Sequence, residues 1–408
     1  MRRLVEAIVP ARMGVPFRWM LASSWTSNLG DGIALAAGPL LVASQTDSAT
    51  LVALAALLQR LPWLLLGLWA GALADRVDRR RIIIVANALR AVVVAVLCVA
   101  ITTGTANVVV VLAAMLLMGV AEVFADTTSQ TLLPMLVDKR DLGTGNARLQ
   151  AGFLTGNQLA GPPVGAFLFA LGAAWPFGVQ VLCVLLAIVL ISRVSLPPVP
   201  RPETPAPARR EILEGLRWLW THPPVRTLAI VIFMFNATWA APWGVLVLYS
   251  RDRLDMGPVG YGLLITATGV GGVLGTLVYG RLERRFSLAT LMKVVLSMEV
   301  AFHLVLALTT SAWVAMATVF VFGVYTFVWG TVSNTVRQRA VPTQLQGRVG
   351  SVYLIGLFGG MVVGNALGGV LTDLWGVTAP FWFAFVGAGV TLAVVWRQLD
   401  SIAHAEAD

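Results

Sequence analysis

The stretch IIIVANALRAVVVAVLCVAITT (residues 82–103) decides the class of fold, and NVVVVLAAMLLMGVAEVF (residues 107–124) has the same character. Each holds a single charged side chain, Arg90 in the first and Glu122 in the second. About 20 apolar residues in a helix cross the ~30 Å hydrocarbon core of a membrane. Because lipid cannot satisfy backbone polar groups, segments of this kind must be helical. The two stretches therefore predict membrane-spanning helices.

The composition of the whole chain agrees with this interpretation. Of its 408 residues, 58% are hydrophobic and 12% are charged. Soluble proteins carry about 25% charged residues because their surfaces face water. The strands of an outer-membrane barrel would be about 10 residues long with alternating polarity, a pattern that this sequence lacks. We therefore predict an all-α membrane protein.

Twelve spans can be placed along the chain, and an even number returns both termini to one side of the membrane. The predicted spans are 20–43, 51–72, 82–103, 107–126, 148–171, 175–194, 225–249, 259–280, 288–309, 312–333, 349–373 and 378–396. With the N-terminus inside, 25 of the 29 Lys and Arg residues fall at cytoplasmic positions, whereas Arg251 and Arg253 lie in an outer loop. Positive residues concentrate on the cytoplasmic side. We therefore expect a multi-pass protein of the inner (plasma) membrane with both termini cytoplasmic.

A proline-rich polar stretch divides the chain near its middle. It contains LPPVPRPETPAPARR (residues 196–210), and proline at this density favours an extended spacer over a helix. The segment RREILEGLRWLWT (residues 209–221) then predicts an amphipathic helix on the inner membrane surface. The expected organisation is an N-terminal six-helix bundle at 1–194, a cytoplasmic linker at 195–224, a C-terminal six-helix bundle at 225–396 and a cytoplasmic tail at 397–408.

The two halves of the chain resemble each other. GLWAGALADRVDRRR (residues 67–81) aligns with GGVLGTLVYGRLERR (residues 271–285), and Asn28 in span one aligns with Asn236 in span seven. Transporters built from two parallel six-helix repeats bind their substrate between the repeats. The duplication is therefore the strongest indication of function in the sequence.

The loop GALADRVDRRR (residues 71–81) resembles the signature loop of the major facilitator superfamily. Three further stretches, SNLGDGIALAAGPLLV (27–42), QRLPWLLLGLWAGALADR (59–76) and LLPMLVDKRDLGTGNARL (132–149), are similar to the branch that holds enterobactin exporters and macrolide efflux pumps. The resemblance covers nearly the whole chain. It implies two pseudo-symmetric bundles that transport by alternating access, and proton-coupled export of a bulky amphipathic compound such as a drug or siderophore.

The resemblance also implies a conformational latch formed by Gly71, Asp75, Arg76 and Arg79. In the superfamily this loop joins the two halves through span eleven, here near residues 348–351. Gly71 would allow helices to approach closely. Asp75 would meet the positive N-terminal end of another helix.

Span five contains GNQLAGPPVGAF (residues 156–167), which resembles the glycine-proline motif of the superfamily's antiporters at Gly161, Pro162 and Gly165. Small residues at this spacing allow close helix packing, and prolines bend the span. One feature departs from the pattern, because drug/proton antiporters usually carry an arginine in span four and this chain has none there. Arg90 in span three is the nearest basic residue to it.

Charged side chains inside spans cost several kcal/mol or more and are therefore candidates for function. Asp31 lies midway along span one, and Glu122 and Asp126 lie four residues apart on one face of span four. A carboxylate in a partly dry cavity could exchange protons with either side, so we assign proton coupling to these three residues and Arg90. The alternative is a structural pair in which Arg90 neutralises Asp31 or Glu122.

Two stripes of side chains at helical spacing are candidates for a substrate cavity. The predicted cavity residues are Asn28, Phe233, Asn236, Trp239, Trp243, Tyr325 and Trp329. An aromatic, weakly polar wall suits bulky amphipathic compounds; the alternative is ordinary helix packing. Glu299 and His303, four residues apart in span nine, predict either a proton relay or a helix-internal hydrogen bond.

Other classes of function are disfavoured. A P-loop is absent, and only three histidines occur, so neither ATP chemistry, a metal site nor a membrane-embedded enzyme is expected. The net charge of +9 arises from loop residues that set topology, which disfavours nucleic-acid binding. We expect a monomer in lipid, with a small-molecule substrate, protons and no cofactor. Within transport, the alternative is a symporter that imports a metabolite.

Overall fold

A computed structural model describes residues 11–196, 208–342 and 345–403, without the side chains of Ala11, Asp75, residues 208–212 and Ala403. Within these ranges the chain forms helices and no strands. The described residues divide into two compact units, the first within Met1–Gln45 and Leu65–Pro205 and the second within Thr46–Leu64 and Ala206–Asp408.

The first part of the chain contains eight α-helices. They are α1 (Gly14–Gln45), α2 (Ala49–Arg76), α3 (Arg79–Thr102), α4 (Val108–Gln130), α5 (Leu133–Leu136), α6 (Leu142–Gly152), α7 (Gly161–Leu171) and α8 (Trp175–Ser192). A π-helical segment, Phe153–Ala160, joins α6 to α7 without a break. Asp78 and Asn107 cap α3 and α4, because each side chain accepts a hydrogen bond from a backbone N–H in the first turn.

The remainder of the chain, after the linker, is built in the same way. Its helices are α9 (Ala208–Thr221), α10 (Pro223–Trp243), α11 (Leu246–Asp252), α12 (Pro258–Arg285), α13 (Leu288–Leu308), α14 (Ala312–Ala340), α15 (Gln346–Trp375), α16 (Ala379–Val395) and α17 (Gln398–Ala403). The N-terminal part of α2, up to Leu64, belongs to this second unit.

The described helices account for the twelve predicted spans. Nine segments of the described chain are long and apolar enough to cross a membrane, and α16 is a shorter apolar helix. The other two spans are α1, which has 32 residues, and the continuous helical run from α6 to α7. The prediction of an all-α membrane fold is therefore confirmed.

The packing of helices within each unit repeats. In the first unit α1 packs against α7 and α8, and α3 packs against α4 and α8. In the second unit α10 packs against α15 and α16, and α13 packs against α14 and α16. The spans that pack against spans seven and nine are thus the partners of spans one and three, each moved six spans along the chain. This is the pattern that the sequence repeat predicts.

The predicted linker helix is present as α9, which packs against α15 within the second unit. Glu214 Oε2 lies 2.7 Å from Arg348 Nη1, and Gly215 lies so close to the backbone of Arg348 that a Cβ there would be 2.5 Å from its carbonyl oxygen. Leu213 and Trp220 remain exposed. The placement of α9 on the membrane surface stays a prediction, and residues 197–207 of the linker lie outside the described residues.

Candidate functional site

A buried ion pair joins α1 and α3 in the first unit. Arg90 on α3 is 2% exposed, and its Nη2 donates a hydrogen bond to Asp31 Oδ1 on α1. Its Nη1 donates to Asn87 Oδ1 at 3.2 Å and to Ser27 Oγ at 3.4 Å. The hydroxyl of Ser27 in turn donates to Asp31 Oδ2 at 3.3 Å. The guanidinium is therefore held by three side chains, of which one is a carboxylate.

The two partners differ in access to solvent. The side chain of Asp31 is 18% exposed, whereas that of Arg90 is 3% exposed, and Arg90 Nε has no hydrogen-bond partner among the described residues. A buried cation without a counter-charge would be strongly destabilising. Asp31 therefore compensates the charge of Arg90, and part of the Asp31 side chain remains accessible.

Two further carboxyl groups act on the same arginine. Glu122 and Asp126 on α4 are half-buried, and Arg90 interacts electrostatically with both of them as well as with Asp31. We call these four residues the charge cluster. With every carboxyl group ionised, the charge cluster carries a net charge of −2, and one added proton lowers this to −1. Such an imbalance of charge is costly in a medium of low polarity.

The antiporter-like motif packs against the backbone that follows Asp31. A Cβ built on Gly161 would lie 2.5 Å from the Cα of Gly32, and one on Gly165 would overlap the carbonyl group of Ile33. Only glycine allows α7 to approach α1 this closely. Pro162 lies in the first turn of α7, where a missing proline N–H is tolerated.

The implied latch stays a prediction. The side chain of Asp75 lies outside the described residues, and Arg76 is exposed. A Cβ on Gly71 would meet no described atom within 4 Å. Its counterpart in the repeat does pack closely, because a Cβ on Gly275 would lie 2.5 Å from the Val324 carbonyl oxygen.

Two arginines of this loop donate hydrogen bonds to carbonyl oxygens at the C-terminal ends of helices. Arg79 Nε donates to the Ala74 carbonyl oxygen at 3.1 Å, near the end of α2. Arg80 Nη1 donates to the carbonyl oxygens of Val194 and Ser192 at 3.1 and 3.3 Å, at the end of α8. Cations at helix C-termini satisfy free carbonyl groups and complement the helix dipole. Sequence analysis had not assigned such a role to Arg80.

An aromatic cluster lies between α10 and α14 of the second unit and consists of Trp239, Trp243 and Phe322. The rings of Trp239 and Trp243 stack at 5.1 Å, and Phe322 lies 6.2 and 5.6 Å from them between ring centroids. Trp239 Nε1 is buried and has no hydrogen-bond partner among the described residues. The cluster thus offers an apolar wall with one unused donor.

The other predicted cavity residues take different positions. Asn28 and Asn236 are equivalent, since each amide donates to the carbonyl oxygen four residues earlier, at 2.8 and 2.7 Å. Phe233 and Trp329 are half-buried. Tyr325, by contrast, is 4% exposed, and its hydroxyl donates to Glu299 Oε2 at 2.8 Å instead of remaining available to a ligand.

Asp373, at the end of α15, makes contacts with the start of α2 that the sequence did not predict. Its carboxylate accepts hydrogen bonds from the backbone N–H groups of Ala49 and Thr50 at 2.8 and 3.0 Å and from Ser48 Oγ at 3.2 Å. The N-terminus of α2 is thereby capped by a side chain from another helix of the second unit. An acidic residue at the very end of an apolar span is the signal that could have revealed it.

Among the described residues, no group of three or more His, Cys, Asp or Glu side chains is arranged to hold a metal ion.

Comparison with solved structures identifies the fold. The nucleoside transporter NupG superposes with a TM-score of 0.72 and 12% identity, covering 96% of this chain and 100% of that one. A bacterial homologue of the iron transporter ferroportin, in an inward-facing state, gives a TM-score of 0.73 and 15% identity, covering 95% and 98%.

Comparison with known sequences identifies the family. The multidrug efflux pump Tap of Mycolicibacterium fortuitum is 29% identical over 380 residues, covering 90% of this chain and 91% of that protein. The enterobactin exporter EntS of Shigella boydii is 26% identical over 402 residues, covering 94% and 92%. A family profile described as transmembrane secretion effector matches residues 6–406. The chain therefore belongs to the transmembrane secretion effector family and is an efflux transporter of the major facilitator superfamily.

Proposed function

We propose that this transporter exports a bulky amphipathic compound in exchange for protons. The observation that carries the proposal is the charge cluster, in which Asp31, Glu122 and Asp126 act on one buried arginine, Arg90. Relatives that are a multidrug efflux pump and an enterobactin exporter support the substrate class.

The excess negative charge of the cluster suggests how coupling works. The cluster gains stability from a proton on one of its carboxyl groups, and a cationic or hydrogen-bonding substrate can compensate the same charge. Proton and substrate then compete for one site. When the site opens to the outer side, protons displace the substrate; when it opens to the inner side, the substrate displaces protons. Ligand-dependent shifts of this kind require only differential affinity for the two states.

The aromatic cluster supports a flat apolar substrate. Trp239 and Trp243 are half-buried, and tryptophan rings attract cations and stack on aromatic groups. Lipophilic aromatic cations and catechol-bearing siderophores both carry aromatic groups. We propose the aromatic cluster and Asn236 as substrate contacts, together with Asn28, Phe233 and Trp329.

We also propose an oligomeric state and an orientation in the membrane. The transporter works as a monomer surrounded by lipid, with both termini in the cytoplasm, as the distribution of Lys and Arg predicts. The latch that the superfamily resemblance implies, formed by Gly71, Asp75, Arg76 and Arg79, is part of the proposal.

Everted membrane vesicles test the proposal. With the vesicle interior made acidic, the wild-type protein should accumulate ethidium, a lipophilic aromatic cation, and collapse of the gradient should release it. Asp31→Asn and Glu122→Gln should abolish gradient-driven uptake, whereas the control Asp138→Asn, at an exposed position, should not. Uptake driven by an acidic exterior would establish the symporter alternative. Conversion of the compound without any gradient dependence would favour an enzyme.

A further inference from the structure

A second cluster of titratable groups is buried in the second unit. Glu299 and His303 lie one turn apart on α13 and are 7% and 0% exposed. His303 Nε2 is 3.1 Å from Glu299 Oε1, and the hydroxyl of Tyr325 on α14 donates to Glu299 Oε2 at 2.8 Å. His303 Nδ1 is buried without a hydrogen-bond partner among the described residues.

The helices that pack against α13 supply no compensating cation at this level. These helices are α12, α14, α16 and α17, and α16 carries no titratable side chain. Asp400 on α17 pairs with Lys293, at 2.7 Å. The titratable side chains of α14 are Tyr325 and, in the last turn, Arg337 and Arg339. Those of α12 lie at its two ends. They are Tyr261 in the first turn, and Tyr279, Arg281, Glu283, Arg284 and Arg285 in the last two turns. Glu299 forms no ion pair with any of them.

The pair therefore has two protonation states that differ by one proton. In the first state Glu299 is ionised and His303 is neutral, its Nε2–H donating to the carboxylate, and the pair carries a charge of −1. In the second state one more proton is bound, and the pair is neutral overall. The first leaves a net charge in the membrane, and the second, with an imidazolium, leaves Nδ1–H without an acceptor. Neither state therefore satisfies both the charge and every polar atom of the pair.

Direct ring contacts connect the pair to the aromatic cluster. Tyr325 meets Phe322 edge-on at 5.4 Å between centroids, and Phe322 contacts both Trp239 and Trp243. The hydroxyl of Tyr325 bonds to the carboxyl group whose charge changes with the proton. A hydrogen bond from Tyr325 is strong to a carboxylate and weaker to a neutral carboxyl group, so the tyrosine ring can shift with protonation.

We propose that Glu299 and His303 form a second proton-binding site, and that Tyr325 transmits its occupancy to the aromatic cluster. The second unit thereby adjusts the substrate wall to pH independently of the charge cluster in the first unit. Glu299 and His303 act as positioning residues, since they do not belong to the wall. The inference rests on the proposed function only in treating the aromatic cluster as the substrate wall.

Nitrogen NMR of histidine tests the proton-binding site directly, because the full chain has only three histidines, namely His222, His303 and His404. The intact protein, labelled with ¹⁵N-histidine and reconstituted in nanodiscs, is titrated from about pH 5 to 9, the range in which imidazoles change charge. His303→Gln assigns the resonances. We expect the His303 nitrogens to shift with pH in wild type and in the control Glu283→Gln, and to stay constant in Glu299→Gln. His303 shifts that are constant in the wild-type protein would overturn the site.

Fluorine NMR tests whether Tyr325 transmits the occupancy of this site to the aromatic cluster. With 5-fluorotryptophan incorporated, and with Trp239→Phe and Trp243→Phe to assign the signals, both resonances should move at the same pH as His303. Tyr325→Phe keeps the ring but removes the hydroxyl, so it should abolish this movement while His303 still titrates. If the tryptophan resonances do not change with pH, or if they move equally in Tyr325→Phe, transmission through the Tyr325 hydroxyl would be overturned. Neither measurement needs substrate or a gradient, so a failed vesicle assay and a failed titration are distinguishable.

Discussion

Arg90 on the third span donates a hydrogen bond to Asp31 on the first, and the Ser27 hydroxyl bridges the two by accepting from Arg90 and donating to Asp31. The pair brings together the basic residue nearest to span four, which lacks the arginine usual in drug/proton antiporters, and the carboxylate for which coupling is proposed. Two roles are open to it, stabilisation of the bundle or exchange of a proton. Because these roles respond differently to substitution, they can be separated.

Replacement of Asp31 alone and together with Arg90 separates them. Asp31→Asn leaves a buried arginine with weaker compensation, so we expect thermal stability in detergent to fall by about 3 kcal/mol. Arg90→Gln in the same chain removes the uncompensated charge, and most of the stability should return. Gradient-driven ethidium uptake should remain lost in both variants, because the exchangeable carboxyl group is absent.

The double variant decides between the roles. Stability measured by a dye-based melting curve and uptake in everted vesicles are compared in the same preparations, with Asp138→Asn as the surface control. Recovery of both stability and uptake in the double variant would show that the pair is only structural.

Glu122 and Asp126 should contribute unequally to coupling. Glu122 lies deeper in α4, whereas Asp126 is one turn nearer the end of the helix. We expect Glu122→Gln to reduce gradient-driven uptake at least tenfold and Asp126→Asn to reduce it less, with ethidium binding retained in both. Uptake in vesicles and equilibrium binding by fluorescence polarisation measure the two effects. Equal, unchanged uptake in both variants would remove these residues from the coupling mechanism.

The glycines of the antiporter-like motif should be intolerant of a single methyl group. Gly161→Ala would place a Cβ 2.5 Å from the backbone of Gly32, so α1 and α7 must separate. We expect a destabilisation of about 1–3 kcal/mol and reduced transport. Gly143→Ala, where a Cβ would meet no described atom within 4 Å, is the matched control and should be neutral. A neutral Gly161→Ala would contradict the observed packing.

The capping carboxylate of Asp373 should govern the start of α2. Asp373→Ala removes the acceptor for two backbone N–H groups and for Ser48, and loss of a helix cap typically costs about 1–2 kcal/mol. Hydrogen–deuterium exchange of residues 48–51 should therefore accelerate. Asp47→Ala, an exposed neighbour, should leave the exchange rate unchanged. Unaltered exchange in Asp373→Ala would mean that the cap does not stabilise this end of the helix.

The fold could be predicted because apolar length and loop charge are properties of sequence alone. The ends of the helices could not. Span one was expected at 20–43 and forms the helix Gly14–Gln45; span ten was expected at 312–333 and forms Ala312–Ala340. Backbone hydrogen bonding continues past the apolar stretch, into polar residues that leave no hydropathy signal. The π-helical segment Phe153–Ala160 was missed for a similar reason, since its ladder depends on local backbone geometry.

The candidate site was predictable where the cost of buried charge restricts the choices. Asp31 and Arg90 needed partners inside the membrane, and a pair in which Arg90 neutralises Asp31 or Glu122 was the structural alternative. Rotation about a helix axis and depth are less visible in sequence. The hydrogen bond from Tyr325 to Glu299, for example, could not be predicted from the spacing of aromatic residues along span ten. Asp373 escaped notice because its partners are backbone groups 324 and 323 residues away.

The direction of proton movement during substrate flow tests the central claim most directly. Purified protein is reconstituted in liposomes that contain the pH dye pyranine, with no initial pH gradient and with the membrane potential clamped by valinomycin and potassium. Ethidium added outside then flows inward. Exchange requires that protons leave as substrate enters, so we expect the lumen to become alkaline with wild type and to stay constant with Asp31→Asn. Acidification of the lumen, or inward flow of ethidium with no proton movement, would contradict proton-driven export.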